Sequence, residues 1–188
     1  NDEEAYRYYD KVAKSINGNL YIYNYPARSG YDINPETVLK LAKENENIIG
    51  FKDSTSDVEN TKAVIYKVLP EVPYFEVYSG FDSQFIANIS SGGAGGISAL
   101  SNIEPRLWSQ WVQAAKDGDF KRIVSIQRKI DKLMEIYSIQ SNVSLVLKKL
   151  LADKGLNVKV NAVFPFDKIT EEEYNKAKEI IEIAKNIQ

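Results

Sequence analysis

Apolar side chains recur at helical spacing across Asp2 to Ser15, at Ala5, Tyr8, Tyr9, Val12 and then Ile16, and predict an amphipathic helix. Leu20 to Tyr25 is rich in aromatic and β-branched residues and stops at Pro26, which predicts a strand. Asn34 followed by Pro35 suits a helix start, and the helix is expected over Pro35 to Lys43. The alternation continues: a strand over Ile48 to Lys52, a helix over Asp57 to Leu69, a strand over Tyr74 to Tyr78, a short helix over Asp82 to Ser90 and a strand over Gly96 to Leu100. Four strands separated by helices, with no hairpin signals, call for parallel pairing through crossover helices. The fold class expected is α/β.

After Leu100 the pattern becomes all-helical, over Pro105 to Asp117, Phe120 to Tyr137, Val143 to Lys154 and Glu171 to Ile187. The first of these is expected to pack against the last strand and the others to form an appendage. Ile123, Ile126, Ile130, Leu133, Met134 and Tyr137 make one stripe, which reads as core or subunit contact rather than a cofactor site. A complete (β/α)8 barrel takes roughly 250 residues. The expected organisation is therefore half of a (β/α)8 TIM barrel over residues 1–118, followed by a helical C-terminal extension over 119–188.

Composition narrows the chemistry. The 188 residues are 44% hydrophobic and 27% charged, as in a globular domain able to bury a sizeable core. With a net charge of −2 and signs interspersed, there is no basic face for nucleic acid. No run reaches the roughly 18 apolar residues of a membrane span, and no signal-peptide pattern is present, so a cytoplasmic protein is expected. The chain has no cysteine and no histidine. Disulfides, thiolate nucleophiles and cysteine-ligated zinc are thereby excluded, as is the commonest general base and metal ligand. Neither a metal nor a cofactor is expected. Asn1 stands where a methionine would begin a chain and Asp2-Glu3-Glu4 reads as an acidic first helical turn, so an upstream portion is expected.

Any catalysis must then come from Lys, Tyr, Asp, Glu, Ser, Arg or the backbone. Lys52 stands at the polar end of the apolar run Ile48-Ile49-Gly50-Phe51. Desolvation disfavours an ammonium, and a neutral amine can attack a carbonyl to form a Schiff base. A lone lysine after an apolar run more often caps a strand with its head in water. Tyr23, at the end of the preceding strand, shifts the balance, because a phenol beside an amine suits imine chemistry with proton relay.

The order of four motifs carries a family likeness: Tyr23-Asn24-Tyr25-Pro26-Ala27-Arg28-Ser29-Gly30, Gly50-Phe51-Lys52-Asp53-Ser54, Tyr78-Ser79-Gly80-Phe81-Asp82 and Gly92-Gly93-Ala94-Gly95-Gly96-Ile97-Ser98. The chain resembles the dihydrodipicolinate synthase and N-acetylneuraminate lyase superfamily of class I, Schiff-base aldolases, from the family's fifth strand onward, which implies the C-terminal half of a (β/α)8 TIM barrel. The resemblance implies that Lys52 forms an imine with pyruvate or another 2-keto acid and that Tyr23 relays protons. It implies that the carbonyl of Ile97 faces the keto acid, with Gly95 and Gly80 allowing close approach, and that Arg28 clamps a carboxylate of the aldehyde substrate. For Asp53 and Ser54 a strand-end turn or helix cap suffices. In the family, the upstream half supplies a Thr-Thr turn for the keto-acid carboxylate, and no such turn occurs in this sequence. The resemblance also implies a homodimer or homotetramer.

Substrate choice stays open at this point. Arg28 favours a 4-hydroxy-tetrahydrodipicolinate synthase-like enzyme. The stretch from Gly50 to Gly80, the Gly80-Phe81-Asp82 turn and the helical tail look more like 2-keto-3-deoxy-sugar-acid aldolases, with N-acetylneuraminate lyase as a further relative. Outside this mechanism stand a non-catalytic keto-acid-binding protein and a structural half-barrel whose strand edges recruit another chain.

Overall fold

A computed structural model of the chain describes residues 1–166 and 168–187. The order of elements is α1 (Asp2–Ser15), β1 (Leu20–Asn24), α2 (Pro26–Ser29), α3 (Pro35–Glu44), β2 (Ile48–Asp53), α4 (Val58–Val68), β3 (Glu76–Ser79), α5 (Phe85–Ser90), β4 (Gly95–Gly96), α6 (Pro105–Asp117), α7 (Phe120–Leu133), α8 (Val143–Asp153) and α9 (Glu171–Asn186). By packing, the chain divides into two compact units, Asn1–Ser98 and Ala99–Gln188. That boundary falls ahead of the expected 118/119 division, because α6 packs against α7 within the second unit.

In the first unit the four strands form one sheet in the order β1-β2-β3-β4, every neighbouring pair parallel. The helix starts follow from local chemistry. Asn1 closes a capping box with Glu4 at α1, and the side chains of Asn34 and Asp57 accept from the amides of Glu36 and Glu59 at α3 and α4. Strand alternation sends Ile22, Phe51 and Val77 to one face, where Val38, Leu41 and Ala42 of α3 and Val64, Ile65 and Val68 of α4 close over them in a dry core. The residues between them, Tyr21, Tyr23, Lys52, Glu76 and Tyr78, occupy the opposite face. The sheet is thus apolar behind and polar in front.

Three expectations are corrected. Pro26 does not simply end a strand; it opens the helical turn α2, where its missing amide costs nothing at the first helical position. The last strand shrinks from the expected Gly96–Leu100 to Gly95–Gly96. β3 ends at Ser79, so after the Ile97 amide has bonded the Ser79 carbonyl at 2.9 Å the ladder has no further partner, and Leu100–Asn102 winds into a 3-10 turn. The helix expected over Phe120–Tyr137 tightens to 3-10 geometry from Met134 to Ser138.

The second unit is helical. Leu133 of α7 packs in one core with Val146 and Leu150 of α8 and with Tyr174, Ala177, Ile180 and Ile181 of α9. The predicted stripe on α7 is therefore core, with Ile126, Ile130 and Leu133 buried along it.

Candidate active site

The polar face is organised by register. Tyr23 pairs with Lys52, Lys52 with Tyr78 and Tyr78 with Gly95, so one row crosses all four strands near their C-terminal ends. Parallel strands project alternate residues to the same side, which gathers a tyrosine, a lysine and a second tyrosine from segments far apart in sequence. The Lys52 ammonium lies 4.3 Å from the centroid of the Tyr23 ring. Lys52 is half-buried and Tyr23 is 47% exposed. The lysine is therefore partly solvated within this unit rather than sealed away, with an aromatic face beside its cation.

The Tyr23 hydroxyl accepts a hydrogen bond from the buried Ser54 Oγ at 3.3 Å. Ser54 is held close to the next strand end because Gly80 lies against it: a Cβ at Gly80 would collide with Ser54 Oγ, and the Gly80 amide donates to the Asp53 carbonyl at 2.5 Å. Thus Gly80 acts through packing on Ser54, and Ser54 in turn orients Tyr23. The second residue after a strand-end lysine carried too little signal to assign this contact from sequence.

One layer below stands a cluster that sequence reasoning missed. Glu76 of β3 accepts from the Tyr21 hydroxyl through a short hydrogen bond and from the Tyr78 hydroxyl at 3.0 Å. The bond to Glu76, reinforced by burial, pushes the Tyr21 phenol up to about 12. Burial, with the same carboxylate, raises Tyr78. Both phenols are held as donors to a fixed acceptor, whereas the Tyr23 hydroxyl engages a neutral serine. Of the three tyrosines on this face, Tyr23 alone stands beside the amine without a carboxylate on its hydroxyl. Period-two alternation would have put Glu76 and Tyr78 on one face, but only the register shows which face.

Arg28 sits on α2 with its guanidinium 5.9 Å from the Tyr25 ring centroid, and the Tyr25 ring is 5.9 Å from that of Tyr23. The αL conformation of Gly30 closes this turn, its amide bonding the Pro26 carbonyl. Arg28 is thereby brought to the same end of the sheet as Tyr23. Ile97 follows β4, is exposed, and is tied to β3 through its amide. Gly95 is buried in the row itself. All six residues singled out from the sequence belong to the C-terminal ends of the strands or the segments leaving them.

Behind the row, on the covered face, lies a buried polar network. Asp53 accepts from Asn24 Nδ2 at 2.8 Å, Thr61 Oγ1 at 2.7 Å and Asn60 Nδ2 at 3.2 Å. Asn24 also donates to Asp32 at 2.7 Å and accepts from the Ile33 amide at 3.2 Å. Burial raises the Asp53 carboxyl above its ordinary value despite these donors. Among the described residues no group of three or more His, Cys, Asp or Glu side chains could hold a metal ion. No helix among them is long and apolar enough to cross a membrane.

Known proteins share this arrangement of elements. YagE, a prophage protein of the dihydrodipicolinic acid synthase family from E. coli K12 solved in complex with pyruvate, superposes with a TM-score of 0.92 at 27% identity, over 98% of this chain and 62% of that one. A probable 2-dehydro-3-deoxy-D-pentonate aldolase of Escherichia coli, YjhH, is 31% identical over 169 residues, 90% of this chain and 56% of that protein. A 4-hydroxy-tetrahydrodipicolinate synthase of Kosmotoga olearia is 38% identical over 140 residues, 74% of this chain and 47% of that protein. The chain therefore spans about half the length of these curated relatives. The family model described as the dihydrodipicolinate synthetase family matches residues 1–184, and the chain belongs to that family.

Proposed function

We propose that this chain carries the Schiff-base half of a class I lyase or synthase acting on pyruvate or a related 2-keto acid. The observation that carries the reading is the register pair Tyr23 and Lys52, a phenol and an amine side by side at the C-terminal ends of parallel strands, where barrel enzymes build their sites. The Lys52 amine adds to the keto carbonyl and water leaves, giving a protonated imine. That imine draws electrons from the adjacent carbon, which loses a proton to become an enamine and then bonds to an aldehyde; the reverse sequence cleaves the bond. Tyr23 moves the protons, oriented by Ser54. Arg28 clamps a carboxylate of the second substrate, while Gly95, Gly80 and the Ile97 carbonyl line the approach.

The sheet would be half of a (β/α)8 barrel. Its order is sequential and parallel, α3 and α4 cover one face, and the other face is polar, as the interior of a catalytic barrel end would be. β1 and β4 are the edges where further strands would close the ring. The second unit would be the helical extension, and the assembly a cytoplasmic homodimer or homotetramer. Arg28 favours a 4-hydroxy-tetrahydrodipicolinate synthase-like reaction. The likeness to YjhH, named a probable 2-dehydro-3-deoxy-D-pentonate aldolase, and to YagE, named a putative 2-dehydro-3-deoxy-D-gluconate aldolase, supports a 2-keto-3-deoxy-sugar-acid aldolase within the same mechanism.

The test is reductive trapping: the full-length protein with pyruvate and borohydride, the adduct mapped by peptide mass spectrometry. A reduced adduct on Lys52 that disappears in Lys52→Ala is the expected result. Folded protein that gives no adduct, yet binds keto acids by calorimetry without turnover, would overturn the reading in favour of a binding protein.

A further inference from the structure

The pairing that sets Tyr23 against Lys52 is not inherited from the start of the strands. Leu20 pairs with Ile48, but Tyr21 pairs with Gly50, so the register jumps by one residue at the beginning of β1. Continued from Leu20, the first register would set Tyr23 against Phe51 and Asn24 against Lys52. A one-residue slip carries side chains to the wrong face, and with it the tyrosine would leave the lysine. Something at the strand ends must distinguish the two registers. The last pair of β1 and β2 holds two buried polar side chains, Asn24, 1% exposed, and Asp53, fully buried, and the observed register sets them opposite each other in a hydrogen bond.

On the reading of Lys52 as the imine lysine, we propose that Asn24 and Asp53 are positioning residues: their buried hydrogen bond locks the β1–β2 register and so holds the Tyr23 phenol beside the Lys52 amine. Each follows its functional neighbour by one residue and points to the opposite face, so neither touches substrate. The lock is anchored on both sides. Thr61 and Asn60 of α4 hold the carboxylate of Asp53, while Asp32 and the Ile33 amide hold Asn24. An apolar pair could fill this space but would pack equally well in either register. A donor and a carboxylate acceptor buried together cannot, because the slipped register would break the bond between them in a dry environment.

The test compares the rate at which borohydride traps pyruvate on Lys52 in the full-length protein with three variants, all measured well below their thermal midpoints. Asn24→Ala removes the donor of the lock and Asp53→Ala its acceptor. Asn45→Ala removes a comparably buried amide at the other end of the strands, where its Nδ2 bonds the Leu41 carbonyl at 3.3 Å. Asn24→Ala and Asp53→Ala should each trap about tenfold or more slowly at saturating pyruvate, as expected for misplaced reacting groups, while Asn45→Ala loses thermal midpoint and keeps the wild-type rate. Wild-type rates in both lock variants, or a loss in Asn45→Ala equal to theirs, would overturn the lock and leave the imine assignment standing. Should one lock variant fail to fold, the other decides alone. Wild-type protein that gives no Lys52 adduct would sink the imine assignment itself, and the lock with it.

Discussion

At the level of single residues, the polar face depends on what is small as much as on what reacts. Gly50 sits in the row of Tyr21 and Glu76, and a Cβ there would run into the Tyr21 ring and come within 2.7 Å of the Glu76 carbonyl. Gly50→Ala should therefore destabilise the fold by about 1–3 kcal/mol, as overpacking does, and a fall in the urea midpoint would register it. Asp53 sets a pH dependence of unusual sign. Burial raises its carboxyl above the ordinary 3.8, so between those two values the folded state holds more proton than the unfolded one. Stability from this group then falls as pH rises through that window, and the penalty is fully present above the raised value. Urea midpoints followed from neutral pH into that window should show wild type gaining on Asp53→Asn as the pH drops. Lys52 and Tyr23 were legible from the sequence because their motifs are local. Glu76 and Ser54 were not, since their importance rests on contacts from other strands.

Among the elements, helices that announce themselves by caps and periodicity emerged nearly as read. α1 and α6 match residue for residue, and α9 begins at the expected Glu171. Its start is fixed by a capping box, in which Thr170 Oγ1 accepts from the Glu173 amide at 3.2 Å and the Glu173 carboxylate accepts from the Thr170 amide at 2.8 Å. Thr170→Ala should cost about 1 kcal/mol, measurable by chemical denaturation. Strand limits were harder to read. β4 lost residues because β3 offers no partner beyond Ser79, and a strand exists only as far as its neighbour does. The proline that closes β1 also opens α2, a double use that composition alone does not reveal.

For the molecule as a whole, packing yields two compact units with separate cores, one gathered behind the sheet and one among α7, α8 and α9. Leu133 is buried in the second, 1% exposed, and Leu133→Ala should remove about 2–5 kcal/mol from it. Amide exchange in α7 and α9 should accelerate while β1 to β3 keep their protection; equal acceleration in both units would show that they unfold as one. The sequence alone determined the alternation of strand and helix, the parallel α/β class, the absence of thiol and imidazole chemistry, and the motif order by which the family is recognised. These are properties of neighbours along the chain, set by side-chain period, caps and residue type. Only the tertiary structure decided that Tyr23, Lys52, Tyr78 and Gly95 share one row, that Asn24 meets Asp53 behind it, and that Glu76 ties up two of the three phenols. Register depends on hydrogen bonds and packing between strands, and a shift of a single residue would keep every local pattern intact while taking the tyrosine away from the lysine.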